Sequence, residues 1–192
     1  GALSINGQVA VSPGYVFWTG EFGEFRDTSI IYRCPKTPGA FVETVRDHTS
    51  QSLAYMKTLY ALNDTNIFYL LGDGRVINLK REVRGAPPPT FFVWEPTTIS
   101  AEATALFLTS DRIYWVDASS DRRTAFFRSS PITDVTNERL DYLAFRTTAH
   151  DVFEFVVNED YIFFQDLTSS SAGPFMRKDR NDGNPAVEIA GL

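Results

Sequence analysis

One cysteine among 192 residues, Cys34, excludes an intrachain disulfide and a thiolate metal cluster. It lies in an apolar strand-like segment with no partnering histidine nearby in sequence, which reads as an inert thiol. Only two histidines are present, His48 and His150. No apolar run approaches the ~20 residues of a membrane helix, and Gly1 to Gln8 carries no basic segment leading into an apolar one, so no signal peptide is visible. Basic clusters are also missing. Against 24 Asp and Glu stand 18 Lys and Arg, a net charge of -6, which argues against nucleic acid or anionic membrane as a partner. No Gly-x-Ser-x-Gly elbow, phosphate loop, dinucleotide fingerprint or His-Glu-x-x-His occurs, so neither a cofactor nor a metal is expected.

Aromatic residues, by contrast, are plentiful: 16 Phe, 8 Tyr and 3 Trp. They favour half-buried pleated surfaces, and they recur. Tyr15-Val16-Phe17-Trp18, Asn66-Ile67-Phe68-Tyr69, Arg112-Ile113-Tyr114-Trp115 and Tyr161-Ile162-Phe163-Phe164 share one pattern, a β-branched residue followed by two aromatics. Starting at residues 15, 66, 112 and 161, they set a period of 51, 46 and 49 residues. Such a period points to a repeat architecture.

Each tetrapeptide follows an apolar run and a polar turn. The turns are Ser12-Pro13-Gly14, Asn63-Asp64-Thr65, Thr109-Ser110-Asp111 and Asn158-Glu159-Asp160, all residues that stabilise reversals. A third strand is expected at Ser29–Arg33, Gly74–Leu79, Thr124–Arg128 and Gly173–Arg177. A fourth is expected at 40–45, 91–94, 140–145 and 186–189. Asp73-Gly74 suits a type I′ hairpin, and the first strands, apolar on both faces, read as the most deeply buried. Arg84 to Thr90, with three prolines, reads as a stiff surface connection. Asp179 to Asn184 lacks calcium-loop spacing and reads as a turn.

The segments Tyr-Val-Phe-Trp-Thr-Gly, Arg-Ile-Tyr-Trp-Val-Asp and Tyr-Ile-Phe-Phe-Gln-Asp, the first continuing to Ile31-Tyr32-Arg33-Cys34-Pro35-Lys36-Thr37-Pro38-Gly39, resemble the YWTD-type propeller repeats of lipoprotein-receptor ectodomains. They are more similar still to the tandem repeats of extracytoplasmic bacterial propellers. The resemblance implies an all-β fold, a β-propeller of four four-stranded antiparallel blades at about 3–46, 53–95, 103–146 and 152–192 in a single repeat domain. It implies an extracytoplasmic or secreted location. Propellers of this kind commonly carry six to eight blades, so four either close a small ring or form half of a larger one, completed by a homodimer or another partner chain.

Trp18, Tyr69, Trp115 and Phe164 occupy one equivalent position and read as packing between blades rather than a sugar platform. The resemblance places ligand sites on the rim formed by loops after the second strands and before the next blade. The candidates there are Glu21, Arg26, Asp27, His48, Asp117, Arg122, Arg123, His150 and Asp166. His48 beside Asp47 and His150 beside Asp151 can move protons or hold metal in principle; Arg26, Arg122 and Arg123 suit a carboxylate. The preferred reading is a non-catalytic binding or assembly module presenting these loops to a protein or glycan. The alternatives are a hydrolase or lyase using Glu21, Asp117 and Asp166, and a structural half-ring that oligomerises.

Overall fold

The computed structural model describes residues 8–22, 28–47, 55–85, 91–121, 123–145, 155–165, 173–181 and 184–189. Among these residues every regular element is a strand, and the strands form four antiparallel sheets of four, each in simple sequence order. The first sheet comprises β1 (Val9–Val11), β2 (Tyr15–Phe22), β3 (Thr28–Pro35) and β4 (Glu43–Asp47). The second comprises β5 (Met56–Asn63), β6 (Asn66–Leu71), β7 (Val76–Arg84) and β8 (Phe91–Ser100). The third holds β9 (Ala103–Leu108), β10 (Arg112–Ala118), β11 (Thr124–Pro131) and β12 (Arg139–Phe145). The fourth holds β13 (Phe155–Val157), β14 (Tyr161–Gln165), β15 (Phe175–Asp179) and β16 (Val187–Glu188). The first two sheets belong to one compact unit, Gly1–Ala101, and the last two to another, Glu102–Leu192. This is the blade-like arrangement expected from the repeat.

Each tetrapeptide opens the second strand of its sheet, because the polar turn before it ends the first strand. The turns share a cap. Ser12 and Thr109 accept through their hydroxyls from the amides of Tyr15 and Arg112 at 3.2 and 3.3 Å, and Asn63 and Asn158 accept through Oδ1 from Thr65 and Tyr161 at 2.9 and 2.7 Å. In all four, the carbonyl of the third turn residue accepts an amide from the third strand or the residue just past it: Lys36 to Gly14, Arg81 (within β7) to Thr65, Ile132 to Asp111 and Arg180 to Asp160, at 2.7 to 3.0 Å. The carbonyl contact is thus repeated four times, while the cap bridges three residues in the first, third and fourth turns and two at Asn63.

Packing within each unit follows the strand alternation, which sends successive side chains to opposite faces. In the first unit Phe17, the third residue of its tetrapeptide, packs with Ala10, Ile31 and Val45 against Ile67 and Tyr69, the second and fourth residues of the next. In the second unit Tyr114, again the third, packs with Val116, Ala125 and Phe127 against Ile162 and Phe164, again second and fourth. Phe17 meets Trp94 edge to face at 6.4 Å, and Phe127 meets Phe155 likewise at 5.2 Å. Burying a ring of this size contributes about 1.5–3 kcal/mol, so these two sheet-on-sheet contacts supply the cores of the units.

Several expectations need correction. The first strands are not the most buried: Val9 and Val11 of β1 are each 57% exposed, whereas β6 is buried from Ile67 to Leu71. The second strand is flanked by hydrogen-bonded neighbours on both sides, while the first lies at the sheet edge. Asp73-Gly74 does not form a type I′ turn. The Gly74 amide bonds to the Leu71 carbonyl at 3.1 Å and Gly74 has φ 91°, giving a three-residue loop with glycine at its bulge position. Gly74 therefore precedes β7 instead of starting it. Arg84 ends β7, paired with Phe91, rather than opening a loop, and residues 86–90 lie outside the described set.

Candidate functional site

The turn end of each unit carries a repeated electrostatic contact between sheets. Asp64, central in the second sheet's turn, accepts from Ser12 Oγ at 2.5 Å and from the Gly14 amide at 2.8 Å in the first sheet's turn. Glu159, central in the fourth sheet's turn, accepts from Ser110 Oγ at 2.7 Å and from the Ser110 amide at 3.0 Å in the third's. The Ser12 hydroxyl and Gly14 amide hold Asp64 below the usual carboxylate range, and the Ser110 hydroxyl and amide do the same for Glu159. Gly14 is required by this approach: a Cβ there would stand 2.7 Å from Asp64 Oδ2.

Two buried guanidiniums complete these contacts from different strand positions. Arg33, 1% exposed, donates to the Asp64 carbonyl at 3.0 Å and to Glu43 at 2.6 and 2.8 Å, and lies over Tyr15 with 4.3 Å to the ring centroid. Arg180, 5% exposed, donates to the carbonyls of Asn158 and Glu159, to Tyr114 Oη at 2.5 Å, to Thr109 Oγ1 at 3.2 Å and to Asp111 at 2.5 Å. Burial pulls the Asp111 carboxyl upward, but bonds from Arg180 and Thr109 outweigh it and hold the group low. Both arginines reach the carbonyl of the acidic central turn residue. A guanidinium suits this role because it stays charged and offers five donors in a fixed fork.

Beside Arg180 opens a cleft of about 320 Å³ lined by Arg139, Leu140, Asp141, Lys178, Asp179 and Asn181. Arg139 Nε donates to Asp141 Oδ1 at 2.7 Å, and its Nη2 donates to the Arg180 carbonyl at 3.1 Å. The Asp141 side chain is only 5% exposed, and its Oδ2 has no hydrogen-bond partner among the described residues. Lys178, 6% exposed, donates to the Asp179 carbonyl at 2.9 Å. The cleft is therefore walled by charged groups of both signs, with the half-exposed Arg139 at its surface and one carboxylate oxygen of Asp141 buried in its wall without a hydrogen bond among the described residues. Sequence reading missed it because Arg139, Asp141 and Lys178 come from strands with no shared motif; the acids Asp64 and Glu159 left a trace only as recurring turn formers.

The loop end tells less. Arg26, Asp27, His48, Arg122, His150 and Asp166 lie outside the described residues. Glu21 stands near the end of β2, paired in register with Ser29. Asp117 lies in β10, 18% exposed, with Oδ2 at 2.8 Å from Arg128 Nε, a charge contact whose N–H is not aligned for a hydrogen bond. Arg128 also pairs with Glu138. Arg123 is exposed in the loop after β10, its amide donating to Asp121 Oδ1 at 3.1 Å. Asp47, beside His48, falls at the end of β4 and not in a loop. Trp18, Tyr69, Trp115 and Phe164 divide: the last three are buried, while Trp18 is half-buried and stacks on Tyr32 at 5.8 Å.

No protein-family model and no curated protein matches the chain. Among solved structures it is similar to that of an uncharacterized protein from Listeria monocytogenes EGD-e, at 13% identity over 98% of this chain and a TM-score of 0.47. The chain spans about 55% of that protein's length. A likeness this slight carries no weight for function, and the architecture rests on the four sheets themselves.

Proposed function

We propose that the chain is a non-catalytic binding or assembly module of propeller type whose ligand is a protein or a glycan. The observation that carries this reading is Asp141 Oδ2, buried in the cleft without a partner while Arg139 holds the other oxygen of the same carboxylate. Leaving such a buried acceptor unsatisfied costs about 1–3 kcal/mol, which a ligand hydroxyl or amide recovers once the half-exposed cleft wall at Arg139 shifts to let it in. Hydroxyls also accept, which suits the half-exposed Arg139 on the wall. The loops opposite the turn end are a second presenting surface on the same scaffold.

A glycan array run beside a broad glycosidase and lyase screen tests the reading. Retention of a glycan that falls at least tenfold in Asp141→Ala, with no turnover, is the expected outcome. Turnover abolished by Asp117→Asn would replace the binding reading with a catalytic one.

A further inference from the structure

Both contacts between sheets obey one rule: the face bearing the third tetrapeptide residue of a leading sheet packs on the face bearing the second and fourth of the following sheet. Apart from these contacts, one face of the first sheet and one of the fourth are exposed. On the first sheet, Val16 and Trp18 share a face with Val9, Val11 and Tyr32, and Val9 and Val11 are each 57% exposed. On the fourth, Phe163 shares a face with Val156, Arg177, Val187 and Phe175, of which Val156 is 56%, Val187 49% and Phe175 48% exposed. One open face is of the following kind and the other of the leading kind, so they complement each other rather than themselves.

The fourth sheet also repeats the leading face of the first residue by residue. Phe17 pairs with Arg33, which lies over Tyr15 at 4.3 Å; Phe163 pairs with Arg177, which lies over Tyr161 at 4.6 Å. In the first sheet a second sheet covers this arrangement, and Arg33 donates to the carbonyl of Asp64 in the arriving turn. In the fourth sheet Arg177 is exposed, Val187 stands across from it where Glu43 stands across from Arg33, and a recess of about 390 Å³ opens beside Tyr161, Arg177 and Val187.

We infer that the open face of the fourth sheet receives the first sheet of a second copy of this chain, with Arg177 donating to the carbonyl of Pro13 in the arriving turn. Pro13 occupies the place that Asp64 holds in the second sheet's turn. A second copy is favoured as the occupant by the face it would bring. The face presented by Val16 and Trp18 is of the kind that the leading faces of the first and third sheets already accept, and it is itself exposed at Val9 and Val11. The arriving turn brings a carbonyl but no acid, because proline stands where the other units place Asp64 and Glu159. The contact therefore lacks the carboxylate present within each unit and is reversible, weaker than the internal ones. A face-to-complement contact of this kind is heterologous, so it closes into a ring or continues into a chain. The inference goes beyond the ligand reading and stands apart from it.

Sedimentation velocity from about 1 μM to about 100 μM tests it. The wild-type chain should gain mass with concentration, stopping at a closed pair or running on. Val11→Asp on the first sheet and Val156→Asp on the fourth should each raise the dissociation constant at least tenfold, as should Arg177→Ala, whose exposed side chain leaves folding intact. Mixing Val11→Asp with Val156→Asp restores one undamaged contact and should yield dimers. A chain monomeric at every concentration overturns the inference, as does Val156→Asp associating like wild type, or a mixture of the two variants that stays monomeric. Glycan retention measured on the same variants separates the two ideas, since substitutions on these faces leave the Asp141 cleft untouched.

Discussion

Asp64 and Glu159 are exposed or half-exposed carboxylates, yet each takes a hydroxyl and an amide from the neighbouring sheet. Their donors bond the charged form, which lowers the carboxyl pKa in the folded chain relative to the unfolded one. A lowered folded value means that the contribution is fully present above the unfolded value, near pH 4, and is lost as pH falls through the folded one. The melting temperature should therefore drop as pH falls below about 4, and Asp64→Asn should flatten that drop. Carboxyl carbon shifts followed by NMR should place both groups below unperturbed Asp and Glu; ordinary values would contradict the bonding described. Arg33 and Arg180 illustrate what sequence alone conceals. Arg33 lies in β3 and Arg180 just past the end of β15, yet both converge on equivalent carbonyls, so no period links them.

Strands were the most legible level. A β-branched residue and two aromatics after a polar turn specify a strand that starts where the turn ends, and β2, β6, β10 and β14 begin at the first tetrapeptide residue. Burial order was less legible, because the apolar character of Val9 and Val11 says nothing about whether a neighbouring sheet covers them. Turn type failed at Asp73-Gly74 for a related reason: one extra loop residue, Gly72, moves the positive φ to the third position, a choice made by pairing register rather than by the dipeptide. Since Gly74 has φ 91°, Gly74→Ala should destabilise the second sheet by about 1–2 kcal/mol, read as a lower denaturation midpoint at unchanged slope. Gly72→Ala should fare at least as badly, because its Cβ would fall 2.1 Å from the Tyr55 ring.

For the whole molecule, the repeat read from sequence became four similar sheets in two compact units, and each unit is held at one end by turn-to-turn bonds and through its middle by alternating faces. The cleft at Asp141 was not legible, because it is assembled from β12 and β15, strands that carry no motif of their own. The account depends most on the acid of one turn bonding the turn before it. A double-mutant cycle on Ser12→Ala and Asp64→Ala measures that bond directly. The expected result is a coupling of about 1 kcal/mol between the two substitutions, with a coupling of the same sign in the second unit between Ser110→Ala and Glu159→Ala. Strictly additive effects in both units would show that the turns do not hold the sheets together.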